Sequence, residues 1–513
     1  MDWNDGYVSD IAYPAAFFPE QSPAHLSFAC VLNGVEPVAL ERRFTYLELG
    51  SGQGLTANIL AASNPQGQFY AVDFNPGQVA AARQLAGAAQ LDNLSLLESS
   101  FAELAAGEVA LPQLDFITMY GVYSWVTAEN RRHIVKLIER YLKPGGIVYV
   151  NYNAMPGWTS ALPLQRLILE YADNHPNARQ VQVEQARQFV DSLAQSGAAY
   201  FNGDANLQHR MDSIHKDKTG YLAHEYMNRG WQPLYHADVA RELADAKLDY
   251  IGSAELSRAF PHLFLTPQQQ ELLDTIADPA LRETIKDYLQ NTSFREDIFI
   301  RGGRRMSAAR QAEWLGQTGL ALTTLRSTAT LDLALPIGRI KADADLYLPV
   351  LDALARQPQS LTALAALPEL AGKSLLEVAE IAALLTASGQ ACVYFLCSGQ
   401  MSNAPAQRMN LAVAQQSRFD DHYQALASPL LGNGVKSGLV QRLIYRALSA
   451  QPGKGDADAI ARQVRDIMQV QGHRLIKDGK PLESAEETLA ELQFTTAAIL
   501  QHRLPIWRQL SVL

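Results

Sequence analysis

The 513-residue sequence is poor in cysteine, in positive charge and in long apolar runs. Its three cysteines, Cys30, Cys392 and Cys397, have no metal-type spacing, so we expect no metal site and a reducing, cytoplasmic location. The formal net charge is -10 at pH 7. Because binding to a phosphate backbone needs clustered Lys and Arg, this charge argues against a nucleic acid as the main partner.

Two further absences concern membranes and secretion. No stretch of roughly 20 apolar residues occurs, so we expect no membrane insertion. The first ten residues, MDWNDGYVSD, are acidic and lack the basic region and apolar core of a signal peptide. What the chain does have is enough length for about three domains at ~150 residues each. With 48% hydrophobic residues, it can also form sizeable cores.

Short apolar runs alternate with helical patterns over residues 1–150. The runs FTYLEL, QFYAVD, LSLLES, LDFITMY and IVYVNY are typical of buried strands. Between them lie helical patterns such as PGQVAAARQLAGAA, which begins at Pro76, and TAENRRHIVKLIERYL. Strands separated by helices of this length predict an α/β fold with a doubly wound, Rossmann-like parallel sheet.

A glycine-rich loop, Gly50-x-Gly52-x-Gly54, follows the first predicted strand, with Glu48 two residues before it. Leu55 occupies the position of the third glycine in a dinucleotide fingerprint, and no Gly-Lys-Ser/Thr follows as in a P-loop. Asp73 ends the second predicted strand, where an acidic residue can hold a ribose diol. The pattern therefore predicts a nucleoside-type ligand without a pyrophosphate.

These residues resemble the class I S-adenosylmethionine-dependent methyltransferases. The segment ELGSGQG is similar to their first motif, and VDFNP is similar to their second. The resemblance implies S-adenosyl-L-methionine as the cofactor, with the Gly50–Gly54 loop under its methionine and ribose, Asp73 on the ribose hydroxyls and Phe74 near the adenine. Glu48 and Tyr120 complete the expected cofactor-binding set.

One position departs from this family pattern. Many members have an acidic residue followed by Ala or Phe after the third strand, where the pair meets the adenine. The corresponding pair here is Ser100-Phe101. Phe101 can still form an apolar wall, but Ser100 replaces the acid with a hydroxyl.

A closer resemblance is to bacterial methyltransferases that carry a methyltransferase regulatory domain. It rests on YPAAFFPEQSPAHL, DFITMYGVYSWV, YNAMPGW, GYLAHEYMN, WQPLYHADVARELADAKLDYIGSAEL and DYLQNTSFREDIFIRG. The best understood of these relatives are protein-lysine methyltransferases that modify outer-membrane proteins. The resemblance therefore implies a homodimer with a helical dimerization insert, an open central cavity and a protein acceptor.

The sheet needs two more strands, and LDYIGSAE (Leu248 to Glu255) and EDIFIRG (Glu296 to Gly302) supply the pattern for both. The helical stretches before each of them are interpreted as insertions. They form a lid or a dimer surface, or they are additions to the surface without a role in the site. We expect five parts: a cofactor domain (1–159), a helical insert (160–218), a regulatory region completing a seven-stranded sheet (219–305), a winged-helix-like module (306–400) and a mainly helical C-terminal region (401–513).

Candidate catalytic residues follow the fourth and fifth predicted strands and the motif HEY. They are Tyr123, Trp125, Tyr152, Asn153, His224 and Glu225. A lysine acceptor, with an ordinary pKa of about 10.4, must lose a proton before it attacks a methyl group. His224 could take that proton, Glu225 could pair with the ammonium, and aromatic faces stabilise cationic amines. For each of these residues, packing or capping is the alternative interpretation.

The sequence thus predicts a methyltransferase acting on a protein lysine amine. The alternatives are a small-molecule N- or O-methyltransferase with a helical lid and a cofactor-binding scaffold without catalysis. DNA amino-methyltransferases are disfavoured, because MYGVYSW lacks their Asn/Asp-Pro-Pro-aromatic motif.

Overall fold

A seven-stranded sheet organises the first 300 residues. The computed structural model describes residues 15–216, 222, 225–396, 402–450, 456–477, 480–482 and 484–513. The strands are β1 (Phe44–Leu49), β2 (Gly67–Asp73), β3 (Leu94–Glu98), β4 (Leu114–Met119), β5 (Leu142–Asn153), β6 (Leu248–Ser253) and β7 (Phe294–Arg301). Their order is β3-β2-β1-β4-β5-β7-β6, with β7 antiparallel to both of its neighbours. The predicted doubly wound sheet is confirmed, including its sixth and seventh strands.

Helices cover both faces of this sheet, because successive apolar residues of a strand point to opposite faces and both faces must be buried. They are α1 (Pro23–Leu32), α2 (Leu55–Ser63), α3 (Pro76–Ala89), α4 (Phe101–Ala106) and α5 (Ala128–Tyr141), followed by α6 (Leu162–Asn174), α7 (Arg179–Gln195), α8 (Ala205–Lys216) and α9 (His236–Ala244). One core joins Leu47 and Ile117 to α5 and α9. The opposite core joins Tyr46 and Phe116 to α1. Both faces are therefore buried, as a parallel sheet requires.

Two helical insertions interrupt the sheet after β5 and before β7. The first comprises α6, α7 and α8, which form a core of their own around Trp158, Leu164 and Met211. The second comprises α10 (Pro267–Asp274) and α11 (Pro279–Gln290), between β6 and β7. Among the described residues, no helix is both long and apolar enough to cross a bilayer.

Residues 308–395 form a small mixed unit against α1 and the sheet. Its helices are α12 (Ala308–Gly316), α13 (Ala344–Arg356), α14 (Leu361–Ala365) and α15 (Leu375–Ala387), and its strands are β8 (Thr318–Leu322), β9 (Asp332–Leu335), β10 (Gly338–Lys341), β11 (Gln359–Ser360) and β12 (Ala391–Phe395). The central strand of its three-stranded sheet is β8, which precedes the helices α13 to α15 in the chain. The winged-helix-like interpretation stays a prediction, as does the five-part division of the chain.

The last hundred residues are mainly helical and pack on α2 and α3. The elements are α16 (Ala404–Gln416), β13 (Ala425–Ser428), β14 (Asn433–Lys436), α17 (Leu439–Ala450), α18 (Ala457–Val470), β15 (Ile476–Lys477), β16 (Lys480–Pro481), α19 (Ala485–Ala498) and α20 (Leu504–Gln509). This packing places the C-terminal region behind the helix that begins at the glycine loop.

A buried ionic cluster ties β7 to its neighbours. Arg295 Nε lies 3.0 Å from Asp297 Oδ2, and Arg295 Nη1 lies 2.8 Å from Asp287 Oδ1 on α11. The same Asp297 oxygen lies 2.9 Å from His236 Nδ1 on α9. Burial alone would raise the pKa of Asp297, but the charge of Arg295 and the contacts with His236 hold it below its ordinary value. The cluster thereby anchors the second insertion to the sheet.

Replacing Asp297 tests this role. Asp297→Ala leaves the Arg295 charge buried with fewer partners, so we expect a loss of about 3–5 kcal/mol of stability. Denaturation in urea, followed by circular dichroism, measures it. Asp238→Ala removes an exposed acid paired with Arg241, and should change stability by less than about 0.5 kcal/mol. Equal stability of the two variants would contradict the assigned role.

Candidate functional site

The glycine loop at the end of β1 combines left-handed backbone conformations with close packing. Gly50, Gly52 and Gly54 have φ values of +66°, +54° and +68°, which favour glycine. A Cβ on Gly50 would lie 2.5 Å from Val122 Cγ2, and one on Gly54 would lie 2.6 Å from Ala82 Cβ. A Cβ on Gly52 would meet only a side-chain oxygen at 3.9 Å. Packing therefore requires the outer two glycines, whereas Gly52 exposes bare backbone to the cavity it lines.

Asp73, at the end of β2, braces this loop. Its Oδ2 accepts a hydrogen bond from the Gly52 N–H at 2.9 Å, and its Oδ1 accepts one from the Asn75 N–H at 2.9 Å. Burial raises the pKa of Asp73, while these backbone hydrogen bonds oppose the rise. Since each carboxylate oxygen can accept more than one hydrogen bond, Asp73 can still receive two ligand hydroxyls.

Glu48, on β1, is the other buried carboxyl beside the loop. Its Oε1 accepts a hydrogen bond from Gln21 Nε2 at 3.1 Å. Burial raises the pKa of Glu48 to about 8; the hydrogen bond from Gln21 opposes this rise and the nearby Asp73 charge adds to it. Glu48 therefore tends to hold a proton at neutral pH, until a cationic ligand approaches and favours the ionised form.

A cavity of about 660 Å³ opens along the carboxyl ends of the central strands. All nine residues predicted to bind the cofactor line it: Glu48, Gly50, Gly52, Gly54, Asp73, Phe74, Ser100, Phe101 and Tyr120. Three of the predicted catalytic residues line it as well, namely Trp125, Asn153 and Glu225. The carboxyl ends of parallel strands are where ligands bind in open α/β sheets. Residues far apart in sequence thus meet at one site.

Two predicted catalytic residues do not reach this cavity, and this corrects the expectation for them. Tyr123 is fully buried and donates to Glu242 Oε2 at 2.7 Å. Tyr152 is fully buried and donates to Asp297 Oδ2 at 2.6 Å, within the ionic cluster. Burial raises the pKa of both hydroxyls well above the ordinary value. Their side chains point into the core beneath the sheet, so neither can touch a substrate. His224 lies outside the described residues.

Ser100 lines the cavity but is engaged in a helix cap. Its Oγ accepts a hydrogen bond from the Glu103 N–H at 3.2 Å, and its backbone N–H donates to Glu103 Oε2 at 2.7 Å, which forms a capping box at the start of α4. The hydroxyl that replaces the family's acid is therefore used to begin a helix. Phe101 remains available as a wall for a flat apolar group.

Several lining residues were not among the site residues predicted from the sequence. Phe18 stacks on Tyr120 with ring centroids 3.5 Å apart, and its N–H donates to Thr56 Oγ1 at 3.2 Å. In the first insertion, the Arg210 guanidinium lies 3.8 Å from the centre of the Trp158 ring. Phe18 and Trp158 fell in segments that resembled the family, which was the available signal. Nothing in the sequence pointed to Arg210.

Comparisons with known proteins agree with this geometry. Residues 47–148 match a family model described as a methyltransferase domain, and residues 218–301 match a predicted methyltransferase regulatory domain. The chain is 35% identical to the uncharacterized protein sll1526 of Synechocystis sp. over 514 residues, covering 100% of both. It is 26% identical to protein RP789 of Rickettsia prowazekii over 293 residues, 56% of this chain and 51% of that one.

Among solved structures, PKMT2 from Rickettsia typhi in complex with AdoHcy superimposes with a TM-score of 0.70 at 18% identity. The superposition covers 98% of this chain and 99% of that one, so the two share a fold. Fold and site define a class I methyltransferase. The chain belongs to the family of S-adenosylmethionine-dependent methyltransferases that carry a methyltransferase regulatory domain. A scaffold without catalysis is thereby disfavoured.

The residues present fit this cofactor. Gly52 leaves backbone bare where a ligand can approach, and Asp73 offers acceptors to hydroxyls. Glu48 is a buried carboxyl that a positive charge would ionise. The region matched as regulatory contains β6 and β7, so it completes the cofactor-binding sheet.

Asp73→Ala should weaken binding of S-adenosylmethionine. The change removes acceptors for the ribose and releases the Gly52 N–H, at a cost of about 1.5–3 kcal/mol, or roughly ten- to 150-fold in affinity. Isothermal calorimetry measures the dissociation constant. Asp92→Ala, which removes an exposed acid on the surface, serves as the matched control. Unchanged affinity of Asp73→Ala would place the cofactor elsewhere.

Cofactor binding should also release a proton from Glu48. The cofactor carries a sulfonium and an ammonium, which favour the ionised carboxyl. Between pH about 5 and 8, affinity should therefore rise with pH and level off above pH 8. Calorimetry in buffers of different ionisation enthalpy counts the proton, and Glu48→Gln should abolish both effects. Proton release that persists in Glu48→Gln would assign the titration to another group.

The raised pKa of Glu48 also makes the stability of the protein depend on pH, and it determines the direction of this dependence. Because the pKa of Glu48 in the fold lies above its ordinary value of 4.5, the native state binds more protons than the unfolded state between these values. The contribution of Glu48 to stability is therefore fully present below pH 4.5 and is lost as the pH rises through about 8.

Proposed function

We propose that the chain methylates a protein side-chain amine, that of a lysine, which enters the cavity beside the carboxyl ends of β4 and β5. The observation that carries this proposal is the lining of that side of the cavity. It combines the aromatic residues Trp125 and Phe294 with the acidic residue Glu225. Aromatic faces and a carboxylate are the groups that stabilise a cationic amine.

The cofactor supplies a methyl group on a positively charged sulfur. The residues of this chain would bind the cofactor, orient the acceptor and accept its proton. Gly52, Asp73 and Phe74 would hold the nucleoside and methionine portions. The acceptor amine must be deprotonated, because a lysine with a pKa of about 10.4 is otherwise an ammonium at neutral pH. Glu225 is the lining carboxylate on the acceptor side among the described residues, so we assign it the ammonium contact and a route for the proton.

Asn153 would orient the acceptor. Its backbone N–H donates to Ser124 Oγ at 2.7 Å, which fixes the residue at the end of β5. Its side-chain Nδ2 is buried and forms no hydrogen bond with the described residues. A buried amide without a partner is costly, so a ligand that satisfies it gains affinity. Depending on its rotation, this amide can donate to a carbonyl or accept from an amine.

Three broader features support a protein acceptor. The sequence resembles bacterial protein-lysine methyltransferases over roughly Tyr13 to Gly302, and the chain is longer than a minimal methyltransferase domain. A net charge of -10 favours encounter with a basic segment, although salt screens this attraction. We further expect a homodimer in the cytoplasm.

A small-molecule acceptor is the second candidate. A cavity of about 660 Å³ falls within the range of small-ligand sites. Arg210, which lies over Trp158 at the cavity wall, suits a carboxylate on such an acceptor. This arrangement would serve an N- or O-methyltransferase with a helical lid.

Labelled cofactor distinguishes the two acceptors. After incubation of the protein with methyl-labelled S-adenosylmethionine and a bacterial lysate, we expect label on lysine residues by mass spectrometry. Glu225→Gln should lower this labelling roughly ten- to hundredfold, because a charge-assisted contact to the amine is lost, while AdoHcy affinity is kept. Asp73→Ala is the control for label that does not depend on the site. Label confined to low-molecular-weight products would decide for the small-molecule candidate.

A further inference from the structure

The C-terminal region holds the far end of the helix that begins at the glycine loop. On α2, Ser63 Oγ donates to the Asn433 carbonyl at 2.8 Å, and Asn64 Nδ2 donates to the Gly432 carbonyl at 2.9 Å. Gly434 packs so closely on α2 that a Cβ there would lie 2.6 Å from Ile59 Cγ2. These contacts fix α2 as a rigid support, since Ser63 and Asn64 are themselves buried.

A second contact reaches the glycine loop itself. His422 Nε2 is hydrogen-bonded to the side-chain Oε1 of Gln53. Gln53 stands between Gly52 and Gly54 and lines the cofactor cavity. The two residues are 369 positions apart in the chain. A residue of the C-terminal region therefore reaches the loop whose backbone faces the cofactor.

The segment that carries His422 is itself anchored. Arg442 on α17 is fully buried; its Nε donates to Ser417 Oγ at 2.9 Å, and its other nitrogens bond the Ser437 carbonyl and Asp421. The His422 N–H donates to Asp420 Oδ1 at 3.0 Å. On the other side of His422, the Gln424 carbonyl accepts a hydrogen bond from the Ser437 N–H at 3.0 Å. Since both flanks are fixed, the imidazole is held near Gln53 in a defined position and little entropy is lost when the contact forms.

The loop needs such support. Three of its five residues have left-handed backbone conformations, which glycine reaches freely but also leaves freely. In the bound state the loop must hold one conformation, so any contact that restricts it beforehand raises affinity. Asp73 restrains Gly52 from the cavity side, and His422 restrains Gln53 from the C-terminal side.

We propose that His422 is a positioning residue for the cofactor, and that through Gln53 the C-terminal region keeps the glycine loop in its binding conformation. By linkage, cofactor binding must in turn stabilise the contact between His422 and Gln53. This role depends on the cofactor site and not on the identity of the methyl acceptor.

His422→Ala should weaken AdoHcy binding by about three- to tenfold, the effect of one lost hydrogen bond, as measured by calorimetry. His422→Gln keeps a side-chain N–H donor and should restore most of the affinity. His473→Ala removes an exposed histidine of the same region and is the matched control. Wild-type affinity in His422→Ala would overturn the proposal.

A double-mutant cycle with Gln53→Ala separates the contact from a general loss of structure. If the contact transmits the effect, His422→Ala should cost little further affinity in the Gln53→Ala background. The same loss in both backgrounds would overturn the proposal, even where the melting temperature falls. In the wild type, AdoHcy should also slow amide hydrogen exchange over residues 417–424, and this protection should be lost in His422→Ala.

Discussion

The glycine loop between β1 and α2 imposes the constraint on which the rest of the site depends. Three of its five residues adopt left-handed conformations, and Gly50 and Gly54 are packed against Val122 and Ala82 with no room for a side chain. Such a loop is accessible only to glycine, and glycine loses more conformational entropy on ordering than any other residue. The loop must therefore be held by groups outside it.

Those groups come from three distant parts of the chain. Asp73 holds Gly52 from β2, and the N-terminal segment reaches α2 through the bond from Phe18 to Thr56. The C-terminal region holds the same helix at Asn64 and the loop at Gln53. Segments outside the minimal methyltransferase domain thus help to hold the glycine loop and the helix that follows it.

Asp297 and Glu48 are two buried carboxyl groups that the chain treats differently. Asp297 faces the Arg295 guanidinium, and its pKa lies below the ordinary value despite burial. In the part of the chain that the structure describes, Glu48 forms no ion pair; its partner Gln21 is a neutral amide, and its pKa is raised to about 8. Burying an unpaired charge is expensive, so the carboxyl stays neutral until a cation arrives. A positively charged cofactor would supply a counter-ion for Glu48, which has no cationic partner among the described residues.

The sequence predicted the parts of this protein that depend on local pattern. Strand and helix periodicity identified all seven strands of the sheet, because each is a short run with apolar residues that is bounded by turn or capping residues. The glycine spacing and Asp73 at the end of β2 identified part of the cavity lining, because these residues lie at the ends of two adjacent strands.

The sequence was less informative about the direction of a side chain and about contacts between residues that are distant in the chain. Tyr123 lies in the loop after β4, as the lining residue Trp125 does, and Tyr152 lies on β5 next to the lining residue Asn153. Both tyrosines point into the core, where Glu242 and Asp297 accept hydrogen bonds from their hydroxyls. For Tyr152 the reason is that neighbouring residues of a strand point to opposite faces of the sheet. Arg210 and His422 reach the site by tertiary packing across long sequence separations, which no periodicity records.

The antiparallel direction of β7 explains why the regulatory region belongs to the site. Because β7 runs against β5, its first residue pairs with the last residue of β5, and Phe294 lies beside Asn153 at the cavity edge. The second insertion leads into β7 at this edge, and the first insertion leaves β5 from the same edge. A parallel β7 would have placed both its entry and the preceding insertion at the opposite end of the sheet. Reversing this one strand therefore brings a sequence-distant region to the cavity, where Ser293 and Phe294 form part of the wall beside the glycine loop.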